Sequence, residues 1–212
     1  MARKVMTRFR YYIRHILAVA FLVVILVIPS VVSAVPGAYG NGAYGTCTYN
    51  TCGITLTSSG AVSLNIIPGA STTCTTQSDS VAVTTDSSTG YSLSMQNTAT
   101  TSSLLGSGTN TIPTSSGSQA SPLALTANIW GYRVDSVGGF GAGPTSANNN
   151  VATSAITFAA IPTSAQSADN LAATSVAANP TVTTPVWYGV CSDTTIPADT
   201  YSSIVTYTAV VN

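Results

Sequence analysis

The sequence contains no glutamate, and beyond residue 34 it also lacks lysine and histidine. The part from residue 35 onward therefore carries a single cation, Arg133. Against it stand six aspartates: Asp79, Asp86, Asp135, Asp169, Asp193 and Asp199. One cation against six anions gives this part a formal charge of −5. Because nucleic-acid binding needs a basic patch, the composition predicts that nucleic acid is not a partner.

The same absences limit catalysis. A serine or cysteine nucleophile needs a neighbouring base, which is usually histidine, and lysine-based variants need lysine. Paired aspartates could serve a glycosidase or an aspartic dyad, but here none lies in a motif that demands it, and loop aspartates commonly form turns. Metal binding is disfavoured because histidine, CxxC and D-x-D-x-D patterns are missing. We therefore predict no catalytic residue, no metal site and no cofactor.

The first 34 residues have the pattern of an export signal. A basic head, residues 1–15, precedes an apolar run from Ile16 to Ile28 and a small-residue end that predicts cleavage after Ala34. The alternative is an uncleaved anchor, because residues 16–34 approach the ~20 residues needed to span a bilayer. Membrane contact is then limited to this segment. In both cases we expect the rest of the chain to be secreted or displayed at the extracellular cell surface.

A short arm with a tandem repeat follows the predicted cleavage point. Residues 37–45 read GAYGNGAYG and place Tyr39 and Tyr44 on a glycine-rich backbone, and Tyr49 follows close behind. Tyrosine rings supply contact area with few rotatable bonds, so we predict that these three residues take part in binding or assembly. The alternative is a plain spacer. The predicted organisation is a signal peptide (1–34), an arm with a cysteine hairpin (35–52) and one folded domain (53–212).

All four cysteines lie in the exported part, which favours two disulfides with three possible pairings. If Tyr49-Asn50 forms a two-residue turn, Cys47 and Cys52 face each other across a hairpin at a Cα separation of ~4.5 Å, which a disulfide accepts. That spacing favours the pair Cys47–Cys52 and, by elimination, the pair Cys74–Cys191.

From residue 53 onward, runs rich in valine, isoleucine, threonine and tyrosine alternate with clusters of serine, glycine, asparagine and proline. Period-two alternation predicts half-buried strands. They are predicted in residues 61–67, 79–86, 90–95, 122–135, 154–161, 181–191 and 200–211. Residues 164–178 are the one stretch with a possible short helix, and the polar stretches 98–122 and 138–150 are predicted surface loops. The fold prediction is all-β, an antiparallel β-sandwich of roughly seven to nine strands.

Two of these strands resemble the WxL domains of bacterial cell-surface proteins. Tyr91-Ser92-Leu93 is similar to the mid-domain aromatic-x-Leu motif of that family. Tyr207-Thr208-Ala209, six residues after Tyr201, is similar to its C-terminal motif. Tyrosine replaces tryptophan in both, and Ala209 replaces the final leucine. The resemblance implies non-covalent retention on a cell wall through Tyr91, Leu93 and Tyr207. The alternative is that these are ordinary core residues.

These features together predict a non-catalytic bacterial cell-surface protein that acts in attachment or in assembly of a surface layer or appendage. Its predicted partners are cell-wall polymer or other surface proteins, including copies of itself. The alternatives are a monomeric module that binds cell wall or carbohydrate, and a small secreted hydrolase that uses aspartates.

Overall fold

The computed structural model describes residues 53–143, 147–151 and 156–212, and these contain twelve β-strands and no helix. The strands are β1 Ile54–Thr57, β2 Thr73–Thr85, β3 Tyr91–Asn97, β4 Leu104–Leu105, β5 Thr111–Ile112, β6 Leu123–Ala124, β7 Ile129–Arg133, β8 Asn148–Val151, β9 Thr157–Phe158, β10 Asp169–Ala173, β11 Ala178–Ser192 and β12 Val205–Val211. All strand pairs between them are antiparallel. The prediction of an all-β, antiparallel fold is confirmed.

Several predictions fall outside the described residues. They are the signal peptide, the arm, Tyr39, Tyr44, Tyr49 and the Cys47–Cys52 pair. The described residues all belong to one compact unit, whereas the proposed boundaries after residues 34 and 52 lie outside them. No helix able to cross a membrane occurs in the part of the chain that the structure describes.

The larger sheet is built on two long strands, β2 and β11. Their register runs from Thr73 opposite Ser192 to Thr85 opposite Ala178, with one irregularity between Ala178 and Val182. The order is β1-β2-β11-β7, and β8 also pairs with β2. β1 and β8 use different parts of one edge of β2, because β1 pairs with its end and β8 with its beginning.

The smaller sheet has three strands in the order β10-β3-β12. β3 is central, and its inward residues Tyr91, Leu93 and Met95 are at most 1% exposed. The alternation of large apolar and small polar residues in YSLSMQN explains this strand, since successive side chains point to opposite faces. The C-terminal strand β12 forms the edge on one side and β10 the edge on the other.

The two sheets face each other across a shared apolar core. It takes Val81, Val83, Val186, Tyr188 and Val190 from the larger sheet and the inward residues of β3 from the smaller one. A hydrogen bond crosses it, because the Tyr188 hydroxyl contacts the Met95 sulfur at 3.4 Å. Two facing antiparallel sheets are consistent with the predicted β-sandwich.

The second half of β11, residues 186–192, is buried on both faces, which sequence alternation did not predict. Tyr188 and Val190 point into the core, whereas Gly189 and Cys191 lie on the opposite face under Phe158 and Leu125. Phe158 belongs to β9, which pairs with β6 as a small additional sheet. A second apolar cluster of Cys74, Leu125, Phe158 and Cys191 therefore covers this outer face.

Cys74 and Cys191 lie within that second cluster and form a disulfide, which confirms the predicted pair. They are direct cross-strand neighbours in β2 and β11, with Cα atoms 4.0 Å apart and a sequence separation of 117. Neither cysteine of the described chain is free.

The prediction of a strand at 61–67 is wrong, although its burial pattern is right. Val62, Leu64 and Ile66 are half-buried and pack on the core. The backbone forms no ladder, because β11 occupies one edge of β2 while β8 and β1 share the other. Threonine hydroxyls of β2 hold the segment instead, with Thr75 Oγ1 donating to the Asn65 carbonyl at 2.9 Å.

Three other local predictions need correction. Residues 122–135 form two strands instead of one, because Asn128 between them has a left-handed φ of 62°. Residues 164–178 contain strand β10 and no helix. The predicted loops 98–122 and 138–150 include the β4–β5 hairpin and part of β8. Short strands such as these raise the number in the described residues to twelve, above the seven to nine predicted.

Candidate functional site at the edge of the smaller sheet

The two WxL-like stretches lie side by side in the smaller sheet. Leu93 of β3 is the cross-strand partner of Ala209 in β12, and Met95 is the partner of Tyr207. Tyr91 and Leu93 are fully buried, so they pack the core and have no access to a partner surface. Tyr207 is half-buried on the edge strand. Of the three predicted motif residues, Tyr207 alone lies where a partner could reach it.

Tyr207 belongs to a polar contact between the sheets that the sequence did not indicate. Its hydroxyl lies 2.7 Å from the hydroxyl of Tyr188, which also donates to the Met95 sulfur. Burial raises the pKa of Tyr188 and of Tyr207 above the ordinary tyrosine value, and the neighbouring hydroxyl and Asp79 raise that of Tyr207 further. Both phenols therefore stay protonated and act as hydrogen-bonding groups at neutral pH.

Asp79 is the most deeply buried carboxylate among the described residues, at 2% exposure. It accepts hydrogen bonds from the Ser58 hydroxyl at 2.7 Å, and from the Ser59 amide at 2.9 Å and hydroxyl at 2.6 Å. These bonds fasten the segment after β1 onto β2. Three donors satisfy these buried side-chain oxygens, which marks a structural role.

Four other aspartates also accept hydrogen bonds within the described chain. The Tyr132 hydroxyl donates to Asp169 at 2.5 Å, and Arg133 Nε donates to Asp135 at 3.2 Å. Thr195 and Asn128 bind Asp193, while Ser107 and Thr200 bind Asp199. In these hydrogen bonds, no donor is shared by two of the described carboxylates.

The pKa directions agree with these local roles. Hydrogen bonds from Thr195 and Ser107 lower the pKa values of Asp193 and Asp199, respectively. Burial raises the pKa of Asp169, partly offset by the bond from Tyr132. Within the described residues, no three potential metal-binding side chains from His, Cys, Asp and Glu lie together.

Two buried polar atoms in the described chain lack a hydrogen-bond partner, the Tyr91 hydroxyl and the Trp187 indole nitrogen. Burial raises the pKa of Tyr91, and the Thr184 side chain acts in the opposite direction. Tyr91 points into the shared core, whereas Trp187 lies on the opposite face of β11 from its neighbour Tyr188, a core residue. They therefore do not define a common site.

The outer edge of β12 is the distinctive feature of this surface. The Thr98 amide donates to the Ile204 carbonyl and the Asn212 amide donates to the Gly90 carbonyl, which fixes the phase of the ladder with β3. In an antiparallel pair, alternate residues turn their N–H and C=O groups away from the partner strand. In β12 these are Val205, Tyr207, Ala209 and Val211. Among described residues β12 pairs with β3 alone, so these backbone groups face outward.

Two other sheet edges in the described chain, those of β7 and β10, are covered or interrupted. The outer side of β7 bonds to neighbouring segments, since Tyr132 and Ala159 exchange two backbone hydrogen bonds, at 3.0 and 2.8 Å. The β10 edge carries a register shift between Asn170 and Ala172. β12, by contrast, keeps an unbroken register over all seven residues. The sequence of β12, VTYTAVV, contains no charged residue, proline or glycine. Charged residues and proline usually protect an exposed edge from pairing with another strand, and β12 lacks this protection.

Comparison with known proteins found no matching family model, no matching curated protein and no matching solved structure.

Proposed function

We propose that this chain is a non-catalytic protein of the bacterial cell surface that acts in attachment or in assembly of a surface layer or appendage. The observation that carries the proposal is the outer edge of β12, which pairs with no other strand among the described residues. Seven uncharged, mostly β-branched or aromatic residues present a continuous row of backbone donors and acceptors. Such an edge is a template for strand addition from another chain.

The roles of the charged residues support a binding function over a catalytic one. Each aspartate with a described hydrogen bond fastens a loop, a turn or a neighbouring side chain. Arg133, the single cation after residue 34, is 1% exposed and bonds to backbone carbonyls. An acid–base pair for hydrolysis needs groups free to exchange protons with a substrate.

Export is part of the proposal. The Cys74–Cys191 disulfide suits an oxidising compartment, where such bonds form and persist. The WxL-like stretches of β3 and β12 add a second proposed route, retention by non-covalent wall binding through the half-buried Tyr207 and the surface around it. That route corresponds to the alternative of a monomeric wall-binding module.

Fractionation of cells that produce the full chain tests this proposal. We expect the protein in the surface fraction, oxidised at Cys74–Cys191, and released by a chaotrope without proteolysis, because no covalent attachment is proposed. A cytoplasmic protein with reduced cysteines would contradict it. So would a hydrolase activity that the substitution Asp169→Asn abolishes.

A matched pair of variants tests the predicted arm in the same assay. Deletion of residues 35–46 leaves every described strand and Cys47 in place, so folding should persist while surface retention falls. The double variant Tyr39→Ser/Tyr44→Ser keeps the arm length and removes the rings. An equal loss of surface retention in the deletion and in the double variant assigns retention to the two tyrosine rings. Unchanged retention in both shows that the arm is a spacer.

A further inference from the structure

The core is incomplete along β12. The inward residues of β3 are at most 1% exposed, whereas Val205, Tyr207 and Ala209 of β12 are only half-buried against the same core. On the outer face, Val210 is 57% exposed. Both faces of this strand therefore have apolar surface still to bury, beside a row of outward backbone groups that lack a described partner.

We propose that a second copy of this chain pairs with that edge, β12 against β12, antiparallel and around a two-fold axis at Thr208. In this register Tyr207 lies opposite Ala209 of the second copy, and Val205 lies opposite its Val211. These are the residues whose backbone groups point outward, so each exchanges two hydrogen bonds with its counterpart. The two small sheets become one continuous sheet.

The strand complements itself under this symmetry. A two-fold axis through Thr208 keeps odd-numbered residues on the inner face and even-numbered residues on the outer face, because side chains alternate with a period of two. The inner rows then extend the apolar core from one copy to the next. The interface is isologous, so it closes at a dimer.

The outer face of β12 carries no charge that would repel a second copy. Thr208 meets Thr208 of the second copy, and Thr206 meets its Val210, which are favourable cross-strand combinations. The neighbouring outward residues of β3 are Ser92, Ser94 and Gln96, all uncharged. A strand without charge repels no identical strand, whereas lysine or an inward charge would have blocked it. These observations favour a second copy over a charged partner.

Disulfide trapping in the full-length chain tests the register. Across the axis, Thr208 forms a non-hydrogen-bonded pair with its own counterpart, at a Cα separation of ~4.5 Å, which a disulfide accepts. The variant Thr208→Cys should therefore oxidise to a covalent dimer on a non-reducing gel, with the 208–208 link identified by peptide mass. Thr208 is exposed, so the substitution leaves the core unchanged.

Thr206→Cys is the matched control, on the same face of the same strand. Its own counterpart lies four residues away across the axis, so it should yield about tenfold less dimer than Thr208→Cys. A mixture of Thr206→Cys and Val210→Cys chains should form the mixed dimer, because those positions lie opposite each other. This cross-link pattern is specific to the proposed register.

Two results would overturn the inference. One is a monomeric Thr208→Cys protein, which would mean that another segment of the chain or another protein covers the edge. The other is equal cross-linking at 206 and 208, which indicates random collision. The role of the dimer in surface assembly rests on the proposed function. The experiments nevertheless test the pairing and the proposed location separately. A chain that stays at the cell surface without the dimer disproves the pairing alone, and a dimer found in the cytoplasm disproves the proposed location alone.

Discussion

At the scale of single residues, Arg133 has the most demanding environment in the described chain. Its guanidinium is buried and donates to the carbonyls of Thr157, Phe140 and Gly141 at 3.0 to 3.2 Å. It also lies 5.6 Å from the centroid of the Phe140 ring. One side chain therefore satisfies three backbone acceptors from two separate segments. A planar fork of donors suits this task, whereas the single ammonium of lysine does not.

We predict that Arg133→Lys lowers the free energy of unfolding by about 2–4 kcal/mol, because it leaves buried carbonyls without donors. Denaturant titration followed by circular dichroism measures the change. The control is Asp135→Asn, which removes the ion pair at 3.2 Å but leaves the carbonyl contacts intact. Asp135 is 38% exposed, so we expect a loss below about 1 kcal/mol. Equal losses in the two variants would contradict a role based on the carbonyls.

At the scale of elements, strands could be predicted from the sequence where alternating apolar and polar residues are enough to decide which side chains are buried. β3 and β12 are such strands, since each alternates mostly apolar inward residues with outward residues that are polar except for Val210. Residues 61–67 show the same alternation but form no strand, because a ladder also needs a free edge on a neighbour. Which edges are free depends on strand order, and strand order is a property of the whole fold.

The same reasoning explains what could be predicted of the candidate site. Tyr207 was identified from its motif, but its position on an edge follows from the order β10-β3-β12. The sequence did not indicate the structural role of Asp79. Its three hydrogen-bond donors belong to Ser58 and Ser59, which lie twenty or more residues earlier in the chain. Contacts between distant segments are not encoded in local periodicity.

Gly189 shows how one element acquires two buried faces. A methyl group at this position would lie 2.6 Å from the Phe158 ring and 3.1 Å from Leu125. The absence of a side chain lets the ring of Phe158 lie directly on β11, beside the disulfide. A glycine inside a strand thus marks a close approach of another segment.

We predict that Gly189→Ala destabilises the fold by about 1–3 kcal/mol, because the added methyl displaces the ring of Phe158. The control is Gly53→Ala, where the nearest atom to the new methyl is 3.8 Å away. That variant should be neutral or more stable by up to about 1 kcal/mol, since alanine restricts the unfolded chain. Thermal unfolding compares the two. A Gly189→Ala protein as stable as Gly53→Ala would mean that the β9 segment is not closely packed.

At the scale of the whole molecule, the Cys74–Cys191 disulfide joins the start of β2 to the end of β11. Every described strand from β3 to β10 lies in the chain between these two cysteines. The bond therefore restricts the unfolded state of most of the domain. Its sulfurs also fill space beneath Phe158 and Leu125, so it contributes to packing as well.

We predict that the double variant Cys74→Ala/Cys191→Ala loses about 4–5 kcal/mol of stability, the loop-closure entropy expected for a loop of 117 residues. The fold should remain all-β in circular dichroism, because the β2–β11 ladder extends over many residue pairs beyond the bond. Reduced wild-type protein is the companion measurement, since it opens the loop but keeps the sulfur atoms in the core. The difference in stability between the reduced wild type and the double variant isolates the packing contribution of the sulfur atoms. Reductant added to the double variant corrects for its effect on the remaining cysteines, Cys47 and Cys52. A loss of less than about 1 kcal/mol in the double variant would show that the unfolded chain is already restricted by other means.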